Sequence, residues 1–168
     1  GATARVTQLE QSPSSMTWSP DGRRIAFVAR VPAKPSSLAK DMPAPPRGAQ
    51  WAEPVRVIDS FRYRFDGAGY IEPGHSHVFI VDADGGAPRQ VTRGEADFRG
   101  PLQFAADGRS LYLSANPVEG AEHDPLESDL YRVDIDSGAL TRLTDRDGPD
   151  SSPALSPDGR TLAYLGFD

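Results

Sequence analysis

Apolar residues fall in short consecutive runs along this chain, each placed just after the same turn. Ile25-Ala26-Phe27-Val28 follows Ser19-Pro20-Asp21-Gly22-Arg23, Leu111-Tyr112-Leu113 follows Ala105-Ala106-Asp107-Gly108-Arg109, and Leu162-Ala163-Tyr164-Leu165 follows Ser156-Pro157-Asp158-Gly159-Arg160. A half-solvated strand alternates apolar with polar, so these runs predict strands buried on both faces. Each preceding segment predicts a hairpin turn: Asp bonds backbone two residues on, and Gly accepts the left-handed conformation that completes the loop. The second copy lacks Pro and is expected to be looser.

A second unit recurs between these turns. Val78-Phe79-Ile80-Val81-Asp82 with Asp84 and Gly86 is answered by Leu130-Tyr131-Arg132-Val133-Asp134 with Asp136 and Gly138, and both run on to Gln90-Val91-Thr92 and Arg142-Leu143-Thr144. Each unit therefore holds two hairpins, hence four strands. The spacing from Val78 to Leu130 is 52 residues and from Asp107 to Asp158 it is 51, against roughly 40–45 for a WD repeat. Arg5-Val6-Thr7 stands 14 residues before Asp21, as Thr144 stands 14 before Asp158. It therefore reads as the last strand of a blade.

These repeats predict an all-β fold, a partial β-propeller of about three consecutive blades of four-stranded antiparallel sheets with incomplete terminal blades. The expected divisions are a last strand of a preceding or ring-closing blade at 1–11, a first blade at 12–94, a second at 95–146 and a truncated third at 147–168. From Asp21 to Asp107 the interval is 86 residues, and its excess falls between Gly22 and Val78. An insertion is thus expected at about 31–75. It opens on Pro32, Pro35, Pro43, Pro45 and Pro46, a surface loop by composition, then passes through Val55-Arg56-Val57-Ile58 and Phe61-Arg62-Tyr63-Arg64-Phe65, which predict a side hairpin closed by Asp66-Gly67-Ala68-Gly69.

The Asp-Gly turn, the apolar strand and the hairpin ending in Leu-Thr resemble the blade repeat shared by TolB-type propellers and the prolyl oligopeptidase family. Trp51-Ala52-Glu53-Pro54, Val57-Ile58-Asp59, Tyr63-Arg64-Phe65-Asp66-Gly67 and Gly69-Tyr70, running into His77-Val78-Phe79-Ile80-Val81, resemble the first blades of acylaminoacyl-peptidase-like serine peptidases. The resemblance implies a noncatalytic, access-gating propeller segment, with a C-terminal α/β-hydrolase domain of the same protein and its peptide substrate as partners. A TolB-like scaffold without an enzyme is the alternative it leaves open.

No catalytic residue carries over, because the chain has no Gly-x-Ser-x-Gly elbow. Ser37-Leu38-Ala39-Lys40 matches Ser-x-x-Lys but lacks its companion motifs. Arg62, Arg64, Asp66 and Tyr70 are the candidates for substrate or domain contact, since Arg beside aromatics can hold a carboxylate or a neighbouring domain. His75 and His77, with Glu72, form a weaker metal candidate. Asp82 and Asp134 each begin a run like a calcium loop, but Arg93 and Asp145 stand where a bidentate Glu is required.

No cofactor motif is present. Eighteen basic against 24 acidic residues, net -6, argue against nucleic acid or an anionic membrane as partner. No apolar run reaches the roughly 18 residues of a membrane span. The absence of cysteine leaves cytoplasmic and periplasmic or secreted locations both open, and the opening at Gly1 reads as a mature terminus or a cut boundary. Incomplete terminal blades are expected to expose apolar faces and to promote self-association.

Overall fold

A computed structural model describes residues 3–38, 43–52, 55–67 and 69–167. The chain divides into two compact units, Gly1–Val31 with His75–Asp168, and Pro32–Gly74. The strands run β1 (Ser14–Trp18), β2 (Arg24–Pro32), β3 (Arg64–Phe65), β4 (Gly69–Tyr70), β5 (Gly74–Asp82) and β6 (Arg89–Gln90). They continue with β7 (Phe98–Phe104), β8 (Ser110–Ala115), β9 (Asp129–Asp134), β10 (Leu140–Arg142), β11 (Asp150–Leu155) and β12 (Leu162–Gly166). One 3-10 turn, Ala121–His123, interrupts them.

In the first unit β1-β2-β5-β6 form one four-stranded sheet, β7 to β10 form a second in sequential order, and β11 pairs with β12 in a third. This is a stretch of propeller blades, two of them four-stranded and the third represented by its first hairpin. β1, β7 and β11 each open a blade, and each carries a break in register at its middle, between Ser14 and Thr17, Arg99 and Gln103, and Ser151 and Ala154. Such bulges bend a strand and sharpen its twist.

The turns are built from their own side chains. Asp21 Oδ1 accepts from the Ser19 hydroxyl at 2.6 Å and from the Arg23 N–H at 3.1 Å, while the Arg24 N–H donates to Ser19 Oγ at 2.9 Å. Asp158 repeats this with Ser156 and Arg160 at 2.6 and 3.1 Å. These bonds, the hydroxyl first, hold both carboxyls below their ordinary 3.8. In the middle copy Asp107 keeps the bond from Arg109 N–H at 2.9 Å, but Ala105 has no hydroxyl to give, so this turn loses more than its Pro. Gly22, Gly108 and Gly159 take φ of 68°, 67° and 69°, the left-handed region the turn demands.

β2 shows why its apolar run is consecutive. Ala26 and Val28 join a core that includes Val78 and Ile80 of the same sheet and Phe98, Leu111, Leu113 and Val133 of the next. Phe27 and Ala29 point the other way, onto Val81 with Val6, Leu9 and Phe79, and Phe27 stacks on Phe79 at 5.7 Å between centroids. β8 is likewise enclosed, with Leu111 and Leu113 fully buried. β12 departs from the expectation: Leu162 and Tyr164 are half-buried, and Ala163 and Leu165 are exposed. Its sheet has only β11 beside it among the described residues, so nothing covers its far side.

Arg5-Val6-Thr7 is paired in no ladder among the described residues, and the first strand is β1. A strand needs a ladder partner, and among the described residues this segment shows one backbone hydrogen bond, the Gly86 N–H donating to the Val6 carbonyl at 3.3 Å. Gly85 lies so close that a Cβ there would stand 3.0 Å from the same oxygen.

The second unit has no fully buried residue among those described in Pro32–Gly74. Its one hairpin pairs Arg64 with Tyr70 and Phe65 with Gly69. Val55-Arg56-Val57-Ile58 stays out of regular structure, as do Phe61, Arg62 and Tyr63. Without an apolar face to bury, two paired residues a side are as much strand as this stretch sustains. Among the described residues no helix is long and apolar enough to cross a membrane.

Candidate functional site

The candidate cluster is centred on the β3–β4 hairpin. The pairing register sets Arg64 across from Tyr70, and the Ile71 N–H donates to the Tyr63 carbonyl at 2.8 Å, drawing the neighbouring chain alongside. The Tyr63 and Tyr70 rings then lie 6.4 Å apart at 34°. Arg56, which the sequence placed in an undistinguished strand, sets its guanidinium 4.3 Å from the centre of the Tyr70 ring and 3.7 Å from the Glu72 carboxylate. Arg62 turns to the Phe65 ring at 5.9 Å. Asp66 is exposed in the turn.

Arg64 and Tyr70 thus share a patch with Arg56 and Tyr63, while Arg62 sits with Phe65. A stacked guanidinium keeps N–H groups free at its edge for a carboxylate. The Arg56 to Glu72 pair is solvent-exposed and contributes about 1 kcal/mol at most. Phe61, Tyr63, Phe65 and Tyr70 are all exposed, a contact surface of the kind that hot spots use. Nothing local in the sequence could have revealed Arg56, which meets Tyr70 only after the chain has folded back.

His77 is buried, with Nδ1 3.3 Å from Thr92 Oγ1 and its ring tilted against Phe98 at 5.6 Å. Thr92 Oγ1 also accepts the Val78 N–H at 2.9 Å. The second blade repeats this arrangement. Thr144 Oγ1 accepts the Leu130 N–H at 3.0 Å and donates to Asp129 Oδ1 at 3.2 Å. His77 thus occupies the position of Asp129, tying a third strand to the Thr that ends the fourth. His75 is half-buried, Glu72 is engaged by Arg56, and among the described residues no group of acidic or histidine side chains is assembled for a metal ion.

Burial pushes the His77 imidazole below its ordinary 6.5 and the neighbouring His75 acts the same way, against Asp97 and the Gly94 carbonyl. The unfolded chain therefore binds the proton more tightly. Stability from this site is complete above about pH 6.5 and is lost as pH falls through the depressed folded value. Chemical denaturation between pH 7 and pH 5 should show a falling midpoint in the native chain and a flatter profile in His77→Asn.

Asp134 Oδ1 accepts from the Ser137 N–H at 2.8 Å and the Ser137 hydroxyl at 2.7 Å, so this oxygen is engaged by the hairpin. In the other loop the Gly85 N–H donates to the Asp82 carbonyl. Of Ser37-Leu38-Ala39-Lys40, Ser37 and Leu38 are exposed and the other two residues lie outside those described, as do Glu53, Pro54 and Ala68. Where the second blade meets the third, a cleft of about 260 Å³ is lined by Arg99, Ser114, Glu127, Ser128 and Ser151. Glu127 accepts the Gly148 N–H on Oε2 at 2.9 Å, and its buried Oε1 has no partner among the described residues. Four separate segments assemble this cleft, so no local pattern in the sequence announces it.

Successive antiparallel sheets, the first two each closed by a Thr hydroxyl and joined through a shared apolar core, define a β-propeller segment. The chain belongs to the family described as Dipeptidyl peptidase IV (DPP IV) N-terminal region, whose model matches residues 49–168. It is 30% identical over 165 residues to an uncharacterized protein of Agrobacterium fabrum, covering 95% of this chain and 52% of the relative. It is 30% identical over 119 residues to the uncharacterized peptidase YuxL of Bacillus subtilis, 71% of this chain and 17% of the relative. With dipeptidyl-peptidase 5 of Porphyromonas endodontalis it shares 23% over 181 residues, 98% of this chain and 24% of the relative. The solved structure of a putative TolB from Agrobacterium tumefaciens aligns with a TM-score of 0.43 and 27% identity, over 94% of this chain and 55% of that one. The chain therefore spans about half the length of one curated relative and about a quarter or less of the other two.

Proposed function

We propose that this chain is a noncatalytic propeller segment of a serine peptidase, of the acylaminoacyl or dipeptidyl and oligopeptidase type, gating the access of peptides to an α/β-hydrolase domain of the same protein. Its membership of a peptidase N-terminal family carries this reading. The exposed patch of Arg56, Arg64, Tyr63 and Tyr70 supports it, offering guanidinium edges and aromatic faces to a peptide carboxylate or to the hydrolase domain. A ring of blades leaves a central channel, and its width admits an extended peptide while excluding a folded domain.

Gating makes a definite kinetic prediction. The whole protein should cleave a short peptide, and kcat/KM should fall to background when the same sequence is presented in a rigid loop of a folded protein. Equal kcat/KM for the two substrates would show that the propeller does not gate.

A second reading, a TolB-like binding scaffold, is favoured by the relative of which this chain covers 52%. That relative has only about as much chain again, which leaves little room for a hydrolase domain beside further blades. Under either reading the 168-residue chain alone is expected to self-associate, because Leu165 and Phe167 are 67% and 68% exposed beside an edge of β12 that has no strand partner among the described residues.

A further inference from the structure

The Thr that ends each blade has a fixed task. In the first blade Thr92 Oγ1 accepts the Val78 N–H at 2.9 Å and contacts His77 at 3.3 Å. In the second Thr144 Oγ1 accepts the Leu130 N–H at 3.0 Å and donates to Asp129 at 3.2 Å. Each bond fastens the outermost strand to the third. The residue before the Thr has a task as well. Val91 lies against the Gly138 turn of the following blade, so close that a Cβ on Gly138 would stand 2.5 Å from the Val91 carbonyl oxygen.

Arg5-Val6-Thr7 repeats half of this arrangement. The Val6 carbonyl accepts the Gly86 N–H at 3.3 Å, and Gly86 stands four residues after Asp82 as Gly138 stands four after Asp134. Val6 and Leu9 pack on Phe27, Ala29 and Val81. The segment is therefore seated against the first blade as Val91 is against the second. The other half is missing: Thr7 Oγ1 is buried and has no hydrogen-bond partner among the described residues. A buried hydroxyl without a partner costs free energy, and in both complete blades that partner is a third-strand amide.

We infer that Arg5-Val6-Thr7 is the outermost strand of a further blade, and that its third strand is a segment of the same polypeptide outside residues 1–168. The chemistry of that strand is set by the repeat. It is extended and antiparallel to residues 5–7. It carries an Asp, or a His in the manner of His77, followed at once by the residue whose N–H rests on Thr7 Oγ1. A part of the same protein, and not a second copy, is the occupant because the relative covering 95% of this chain is about twice its length, and a propeller needs about four to eight blades to close. The inference holds whether the whole protein is a peptidase or a scaffold.

Hydrogen exchange on the full-length protein tests it. Thr7→Val, which keeps shape and removes the hydroxyl, should speed amide exchange about tenfold in one segment outside residues 1–168, and Thr7→Ser should leave that segment as in the native protein. Thr144→Val should do the same at Leu130 and calibrates the effect. If valine prevents folding, Thr7→Ala serves in its place. Exchange that changes nowhere outside residues 1–168 would overturn the inference. A change that fades on dilution would overturn it too, since the partner would then be a second copy.

Discussion

Replacing Phe98 by Ala should cost about 3–5 kcal/mol, a large part of the roughly 5–15 kcal/mol that holds a domain folded. Phe98 is 1% exposed at the start of β7, and it belongs to the cluster that the first two sheets share with Ala26, Val78 and Leu113. Its ring also supports His77. Truncation would thus open a cavity between two blades at once, and neither sheet can close it without giving up its register. Urea denaturation should show a sharply lower midpoint for Phe98→Ala and, for Phe167→Ala at a residue 68% exposed, a midpoint within about 0.5 kcal/mol of the native chain. A loss below about 1 kcal/mol at Phe98 would mean that the blades do not share a core.

The parts of this fold that were legible in the sequence are those set by local chemistry repeated at a fixed interval. The Asp-Gly turns are specified by their own Ser, Asp and Gly, and the consecutive apolar residues of β2 and β8 require cover on both faces. Their agreement at three places in the chain made a propeller readable without a structure. Where a residue's state depends on a distant neighbour, the sequence said less. Leu165 has the same type and position in its run as Val28, yet it is exposed because its sheet lacks further strands here. Val55-Arg56-Val57-Ile58 has strand-forming residues but no partner edge, and stays irregular.

The candidate site divides in the same way. Arg64 and Tyr70 were visible as a basic and aromatic hairpin, and the register does place them opposite each other. Arg56 was invisible because its contact with Tyr70 is set by the fold of the loop. His77 was visible as a histidine next to another, which suggests a metal ligand. Its hydrogen bond to Thr92, repeated by Asp129 and Thr144, needs two blades side by side to be recognised.

Under the proposed function these residues gate a serine peptidase and do none of its chemistry. A serine nucleophile acts only beside a base that activates it, and the family resemblance carries none into this chain. Ser19, Ser114, Ser128 and Ser156 all donate their hydroxyls to neighbouring protein groups, which leaves them as structural groups. Ser37 lies in the Pro-rich loop without the companion motifs of a Ser-x-x-Lys enzyme. Hydrolysis demands many kcal/mol of transition-state stabilisation, which the proposed function assigns to the hydrolase domain. The most direct measurement treats the whole protein with a fluorophosphonate, which phosphonylates an activated serine, and locates the adduct by peptide mass spectrometry. The account predicts one modified serine outside residues 1–168 and loss of peptide hydrolysis in step with its modification. An adduct on any serine within these residues, or a protein that neither reacts nor hydrolyses peptides, would contradict it.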